Sequence, residues 1–385
     1  MCPIFINAYS SVCNIGNNVR EMFSNALKQN ADFFTVDSSI VKGSSFCFGK
    51  INTKLPEINE EKYNLRCNSI LLECCLQIKS DIDRAVEKYG KDRVGIVIGT
   101  TNSGVDEYEI SGDIDHSQIG NPAGFLHKYL GLNGYYSGVS TACTSGIKAF
   151  STAKKLIEND ICDAVIAGGV DALSKMPIFG FNSLEVLSDK RCLPFSKNRN
   201  GINIGEGGAL FLLEKTRNEN GIILSGIGET SDAYHCATPD PDGVQASKAI
   251  ESALQNAKLK PEDIDYINLH GTGTVSNDLM EANAVHRIFG NKVAASSTKS
   301  LTGHCLGASA AVEAALCCAL LDKRINKDNS LLPHNYDGIY DTSLPLLSLV
   351  EYGQSAGTAA GLKNVMCNAF GFGGSNAVIV FGRAD

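Results

Sequence analysis

The sequence predicts a layered α/β fold, and three observations carry that expectation. Short β-rich runs alternate with helix-like stretches, the 38 glycines are spread along all 385 residues, and no stretch is dominated by Pro, Ser and Gly or by one sign of charge. A chain without such a linker reads as one compact unit, residues 1–385, although its length alone would allow two or three domains.

Taken in order, Val94 to Ile98 (VGIVI), Ala164 to Ala167 (AVIA), Ala209 to Leu213 (ALFLL) and Val378 to Phe381 (VIVF) read as strands. Ser145 to Glu158 and Gly243 to Ala257 read as helices. After about Lys215 the loop TRNENG is followed by a fresh strand-like run, GIILSGIGETSDAYH, so the chain divides into a first half, 1–220, and a second, 221–385. The apolar stretch from Cys305 to Leu321, interrupted by Ser309 and Glu313 and rich in Ala and Gly, suits a buried helix rather than a membrane span.

Composition removes several function classes. Apolar residues make up 43% and charged residues 20%, an ordinary globular balance. A net charge of -8 with no dense basic run gives no support to a nucleic-acid surface, and an acidic partner would need a local basic patch. Fourteen cysteines occur singly or as adjacent pairs, without a C-x-x-C spacing and without a charged-then-apolar leader after Met1. We therefore expect a cytoplasmic protein with no metal site, in which most thiols fill the core.

Chemistry concentrates in four segments. In VSTACTSGIKAFSTAKKLIEND, Cys143 stands after a short strand and before a helix-former run. That turn would place the thiol at a helix N-terminus and lower its pKa, with Ala142, Thr144, Ser145 and Gly146 keeping its surroundings narrow. Taken alone, the pattern serves a buried filler cysteine equally well.

In YINLHGTGTVSNDLMEANA a β-like run delivers His270 into a turn of Gly271 and Gly273, with Thr272 and Thr274 interleaved. In SSTKSLTGHCLGASAAVEA, His304 precedes a small-residue helix carrying Glu313, and Lys299 lies five residues before it. Singly, either histidine could be a satisfied core residue. As a pair, neutral imidazoles could hydrogen-bond a thioester carbonyl and stabilise the enolate charge that grows as carbon dioxide leaves. The glycine turn could also cradle phosphate, but neither standard phosphate-loop pattern is present. The fourth segment, MCNAFGFGGSNAVIVF, reads as a tight hairpin anchored by aromatic residues, or as glycine-exposed amides beside a pocket gated by Phe372.

Together, TACTSG, HGTGT, STKSLTGHCLGA and NAFGFGGSN, in that order, resemble the elongating β-ketoacyl-acyl-carrier-protein synthases of the thiolase superfamily. NRNGINIGEGGALFLLE and AVIAGGVDAL extend the resemblance over nearly the whole chain. It implies a five-layered αβαβα fold of two related halves and a dimer interface near the acyl pocket. Cys143 would carry the acyl chain, and His270 and His304 would activate malonyl-carrier protein for decarboxylation. The amides of Cys143 and Phe372 would form the oxyanion hole. Thr272 and Thr274 would hold the pantetheine amides, while Lys299 and Glu313 would order the site.

By the same resemblance no cofactor is tightly bound, since the phosphopantetheine arm of an acyl carrier protein presents the substrate. The partner subunit would be a second copy or a chain-length-factor-like homologue. Lys62, Arg66 and Lys128 are candidates for docking the carrier near the pocket mouth. SKNRNG stands where an acidic-x-x-Arg-Asp-Gly element is usual, HGTGTVSNDLMEA lacks the usual Gly-Asp, and the loop after GTTNSGVDEYEISGDIDHSQIG is short. In these details the chain resembles the synthases of aryl polyene pigments more than those of fatty acid synthesis. Two other functions fit parts of the pattern: a Cys-His thioester hydrolase, and a non-catalytic partner subunit with an idle Cys143.

Overall fold

The computed structural model describes residues 3–28, 32–218, 221–357 and 361–384. Among the described residues the main sheet has eleven strands, and ten of them build its frame, the short Ser348–Leu349 lying at one edge. Five come from the first half of the chain: Phe5–Cys13 (β1), Val94–Gly99 (β2), Tyr136–Val139 (β3), Ala164–Asp171 (β4) and Gly207–Glu214 (β5). Five follow in the second: Ile222–Ser231 (β6), Tyr266–Asn268 (β7), Ala294–Ser296 (β8), Asn364–Gly371 (β9) and Ser375–Arg383 (β10). The first set runs in the order β3-β2-β4-β5-β1 and the second in the order β8-β7-β9-β10-β6, so the halves repeat one topology. The strand directions match as well, with two parallel pairs followed by two antiparallel pairs in each. Sheet continuity between the sets rests on Phe5 opposite Ile223 and Ile6 opposite Ile222.

Alternation within the strands assigns side chains to layers, because successive residues face opposite sides of a sheet. Ile96, Ile98, Leu210 and Leu212 pack outward under helices Arg66–Gln77 (α1), Lys79–Tyr89 (α2) and Asn121–Tyr129 (α3). Val97, Phe211 and Leu213 face inward onto helix Ser145–Glu158 (α4). In the second set Ile379 and Phe381 face that same interior, whereas Val378 and Val380 pack under helices Val244–Ala257 (α5) and Val275–Phe289 (α6). Helix Ser309–Leu321 (α7) lies beside α4 between the sheets, and all thirteen of its residues are buried. The result is the five-layered αβαβα arrangement, and each fully buried Leu, Ile or Phe contributes roughly 1.5–3 kcal/mol.

The strands run longer than their apolar centres suggest. β4 extends through Gly168 and Gly169, where a Cβ on Gly168 would lie 1.9 Å from the Ala209 carbonyl oxygen. Glycine there lets β4 and β5 approach, although an isolated sequence run gives it a poor strand rating. The chain crosses from β5 to β6 at the seam read after Lys215; Glu219 and Asn220 of that loop lie outside the described residues. Among the described residues no helix is long and apolar enough to cross a membrane.

Candidate active site

Cys143 sits where β3 turns into α4. The turn is strained at Ala142, whose φ of 55° is unusual for a residue with a side chain. Short polar side chains hold it: Ser145 Oγ accepts from the Thr141 amide at 2.9 Å and donates to the Ala142 carbonyl at 2.6 Å. From the far end of the chain Ser375 Oγ meets Thr144 Oγ1 at 2.9 Å. A Cβ on Gly371 would lie 3.2 Å from the Cys143 nitrogen, a tight contact, so a glycine there lets the final hairpin pack closely against the Cys143 turn. That hairpin joins β9 to β10 through Phe372–Gly374.

His270 follows β7. Its amide and that of Gly271 each donate to a carboxylate oxygen of Glu281 at 2.7 Å, which fixes the turn from helix α6. Gly271 has φ 32° and Gly273 φ 81°, and a Cβ on Gly271 would lie 2.6 Å from Ser297 Cβ. His304 leaves the short helix Lys299–Thr302 through Gly303 and is pinned by its amide to the Asn203 carbonyl at 2.7 Å.

These segments bring three reactive groups together. His304 Nε2 lies 2.9 Å from Cys143 Sγ, and the imidazoles of His270 and His304 meet edge to face with centroids 5.2 Å apart. Lys299 Nζ bridges Glu313 Oε1 at 2.5 Å and His270 Nδ1 at 3.3 Å. An ammonium can only donate, so His270 Nδ1 accepts and the ring proton of the neutral form resides on Nε2. The Leu306 amide donates to His304 Nδ1 at 3.2 Å and fixes the same tautomer there. Burial, reinforced by the charge of Lys299, holds both imidazoles well below the usual histidine range. Two neutral Nε2–H donors therefore flank the thiol.

Sulfur and ring nitrogens lie within 4.8 Å of one another, a spacing that could hold a metal ion. The tautomers argue against that use, because protonated Nε2 atoms donate hydrogen bonds and a nearby ammonium repels a cation.

The thiol itself departs from expectation. A helix N-terminus was expected to lower its pKa, yet burial pushes it up to about 11, despite Lys299 and the amides of Phe372 and Cys143, which act the other way. Desolvation of a thiolate outweighs these partners in the resting site. Both amides donate toward the sulfur.

A cavity of about 250 Å³ opens over Cys143, His270 and His304. Thr272 and Thr274 line it, with their hydroxyls 2.9 Å apart. Phe372, 40% exposed, lies against Phe181 at 5.3 Å between ring centroids. None of the three docking candidates lines this cavity. Arg66 is committed to the buried Glu206 through bonds of 2.5 and 2.7 Å, because that carboxylate has no water to solvate it. Lys128 pairs with Glu60 at 2.6 Å, and both Lys62 and Lys128 lie near the Tyr63 ring.

Sequence reasoning missed the carboxylates that hold the loops in place. Besides Glu281, Asp278 accepts from the amides of Phe195 at 2.8 Å and Gly273 at 3.2 Å. The aspartate of the expected Gly-Asp is thus present, with Asn277 in place of the glycine. Asp171 gathers the amides of Thr101, Asn102 and Gly307 and so ties β4 to the turn after His304. Burial pushes Asp278 up to about 6 and Glu281 up to about 7. The available signal was spacing: Asp278 and Glu281 share one helix face with Ala282 and Val285.

A two-sheet αβαβα frame that places a cysteine and two neutral histidines around one cavity defines a thiolase-fold condensing enzyme. Comparison with known proteins gives the same class. Residues 66–218 match the family model for the N-terminal domain of β-ketoacyl synthase, and residues 222–329 match that for its C-terminal domain. Nodulation protein E of Rhizobium leguminosarum bv. trifolii is 36% identical over 270 residues, 67% of this chain and 64% of that protein. The 3-oxoacyl-[acyl-carrier-protein] synthase 2 of Staphylococcus aureus (strain COL) is 28% identical, covering 99% of this chain and 98% of its own. Among solved structures, the ketosynthase ApeO of Xenorhabdus doucetiae, in complex with its chain length factor ApeC, superposes with a TM-score of 0.91. It is 36% identical and covers 99% of this chain and 98% of its own. The chain belongs to the β-ketoacyl synthase family, and its activity is ketosynthase condensation, an acyl transfer.

Proposed function

We propose that Cys143 carries the growing acyl group while His270 and His304 activate malonyl-carrier protein. The observation that carries this reading is the pair of Nε2–H donors held beside one thiol by the Leu306 amide and Lys299. In the first step the Cys143 sulfur attacks the acyl thioester of a carrier's phosphopantetheine arm; the new C–S bond replaces the old one, and the carrier thiol leaves with the proton. Malonyl-carrier protein then enters. Its carboxylate leaves as carbon dioxide, and the electron pair passes into the thioester, whose oxygen takes hydrogen bonds from both imidazoles. The resulting carbanion attacks the acyl-Cys143 carbonyl. The amides of Cys143 and Phe372 hold the oxyanion until the C–S bond breaks, freeing 3-oxoacyl-carrier protein.

In this reading Thr272 and Thr274 hold the pantetheine amides, Lys299 and Glu313 orient His270, and no cofactor is tightly bound. The tautomers weigh against a hydrolase, whose histidine needs an unprotonated nitrogen facing the thiol. A homologous subunit is the second partner, either another copy or a chain-length-factor-like chain. The edge strand β3 supports this, since it leaves Tyr135 and Tyr136 exposed at the sheet end beside the nucleophile turn. The complex of the similar Xenorhabdus ketosynthase with a chain length factor favours the second kind of partner. The departures at SKNRNG and HGTGTVSND support an aryl polyene substrate, a conjugated chain with an aromatic end, made in the cytoplasm.

Mass spectrometry of the intact protein tests the reading. Mixed with acyl-carrier proteins it should gain a thioester on Cys143, absent in Cys143→Ser, that leaves as a product two carbons longer once malonyl-carrier protein is added. An adduct that hydrolyses at the same rate with or without malonyl-carrier protein would favour the hydrolase.

A further inference from the structure

Of the seven histidines three are buried, His270, His304 and His334, and the reaction scheme above uses only the first two. His334 does not line the cavity over Cys143. It lies on an irregular stretch after α7, tied by its amide to the Val350 carbonyl at 2.8 Å. A buried imidazole must satisfy both ring nitrogens, and this one does so across two segments far apart in sequence. Nδ1 accepts from the Ser297 amide at 3.1 Å, so the ring proton stands on Nε2, which donates to the Pro194 carbonyl at 2.9 Å. Burial pushes the pKa of this imidazole down to about 4, despite its bond to Pro194, so the ring is neutral at neutral pH and keeps one donor and one acceptor.

Both partners of His334 support the turn that carries His270. Ser297 follows β8, and its Oγ donates to the Gly271 carbonyl at 2.6 Å and accepts from the Lys299 amide at 3.2 Å. It thus touches the residue after His270 on one side and the lysine that bonds His270 Nδ1 on the other. Pro194 shares its peptide unit with Phe195, which sits at φ 60°, a conformation unusual for a residue with a side chain. That unit is held from both sides: His334 takes the carbonyl, and Asp278 takes the Phe195 amide at 2.8 Å. The Phe195 ring packs against Gly271, where a Cβ would lie 3.0 Å from Phe195 Cε2, and its centroid is 5.9 Å from that of His334.

We infer that His334 is a positioning residue for the condensation: through Ser297 and the Pro194–Phe195 peptide it fixes Gly271, and with it the imidazole of His270. The inference rests on the reading in which His270 activates malonyl-carrier protein, and it adds to that reading a residue outside the substrate cavity. Glu281 holds the amides of the turn, whereas the His334 network holds the Gly271 carbonyl, so neither replaces the other. The Cys143 turn has its own supports in Ser145 and Ser375. Loss of His334 should therefore impair the activation of malonyl-carrier protein and spare acyl loading.

The test measures two partial reactions of the full chain, purified with any subunit that stays bound. One is carbon dioxide release from malonyl-carrier protein, and the other is thioester formation on Cys143 from an acyl-carrier protein. Partial loss of folding lowers both rates together and leaves their ratio unchanged. His334→Phe keeps a ring and removes both bonds, so carbon dioxide release should fall about 10–10²-fold while loading stays within about twofold. Two milder substitutions divide the network: His334→Asn can keep the acceptor for the Ser297 amide, and His334→Gln the donor to the Pro194 carbonyl. Each still lacks one bond, so its ratio should lie between those of the wild type and His334→Phe, about threefold or more below the wild type. A wild-type ratio in the variants that fold overturns the inference; should His334→Phe fail to fold, the Asn and Gln variants decide by the same measure. A wild type that releases no carbon dioxide and makes no elongated product would instead sink the ketosynthase reading and this inference with it.

Discussion

The two halves share strand order and direction, yet the equivalent helices differ. α4 keeps Lys155 and Glu158 exposed, whereas α7 is buried along its whole length. The first half contributes the thiol, on a helix N-terminus strained at Ala142; the second contributes both imidazoles from loops fixed by Lys299, Glu281 and Glu313. The difference teaches that a repeated frame need not repeat its chemistry: one half supplies the thiol, the other the paired neutral imidazoles, and the proposed division is acyl carriage in the first and charge stabilisation in the second.

Substitution can separate these roles. The largest effect is expected for Cys143→Ala, which should abolish acyl loading, by more than about 10³-fold, while release of carbon dioxide from malonyl-carrier protein continues; radiolabelled carbon dioxide measures it. His304→Ala should do the reverse, lowering carbon dioxide release by about 10²–10³-fold while a thioester still forms on Cys143. Equal loss of both partial reactions in each variant would break the division proposed here.

Lys299→Met leaves Glu313 charged, buried and without its ion-pair partner. Breaking such a pair costs about 3–5 kcal/mol, which denaturant unfolding would register. The smallest effect concerns pH. Glu281, pushed up to about 7 by burial, has an unfolded value of about 4.3. Folding therefore favours its protonated form, and its contribution to stability, full below about pH 4.3, is lost as pH rises to 7. His270 and His304 work oppositely, being depressed in the fold, so their contribution is lost as pH falls below about 6.5. Glu281→Gln should flatten the slope of stability between pH 4.5 and 7 by about 1–3 kcal/mol.

Much of the trio was legible because its signals are local. Cys143, His270 and His304 each stand in a run of small residues where backbone must pass close to other backbone, and Gly273, Gly371 and Gly146 do so here. The seam after Lys215 was legible for the same reason, as a polar loop between two strand-like runs. Glu281, Asp278 and Asp171 were not, because a carboxylate in a helix or at a strand end reads as solvated until the fold shows which amides surround it. Arg66 failed in the opposite direction: its charge looked free, but Glu206, distant in sequence, claims it. The thiol pKa was misjudged because a helix N-terminus is visible in sequence and the depth of its burial is not.

The bond from Ser375 to Thr144 spans 231 residues of sequence, and Gly371 lies close against the Cys143 nitrogen beside it. The turn that holds Cys143 therefore gains its full set of contacts only once the last strand of the chain is in place.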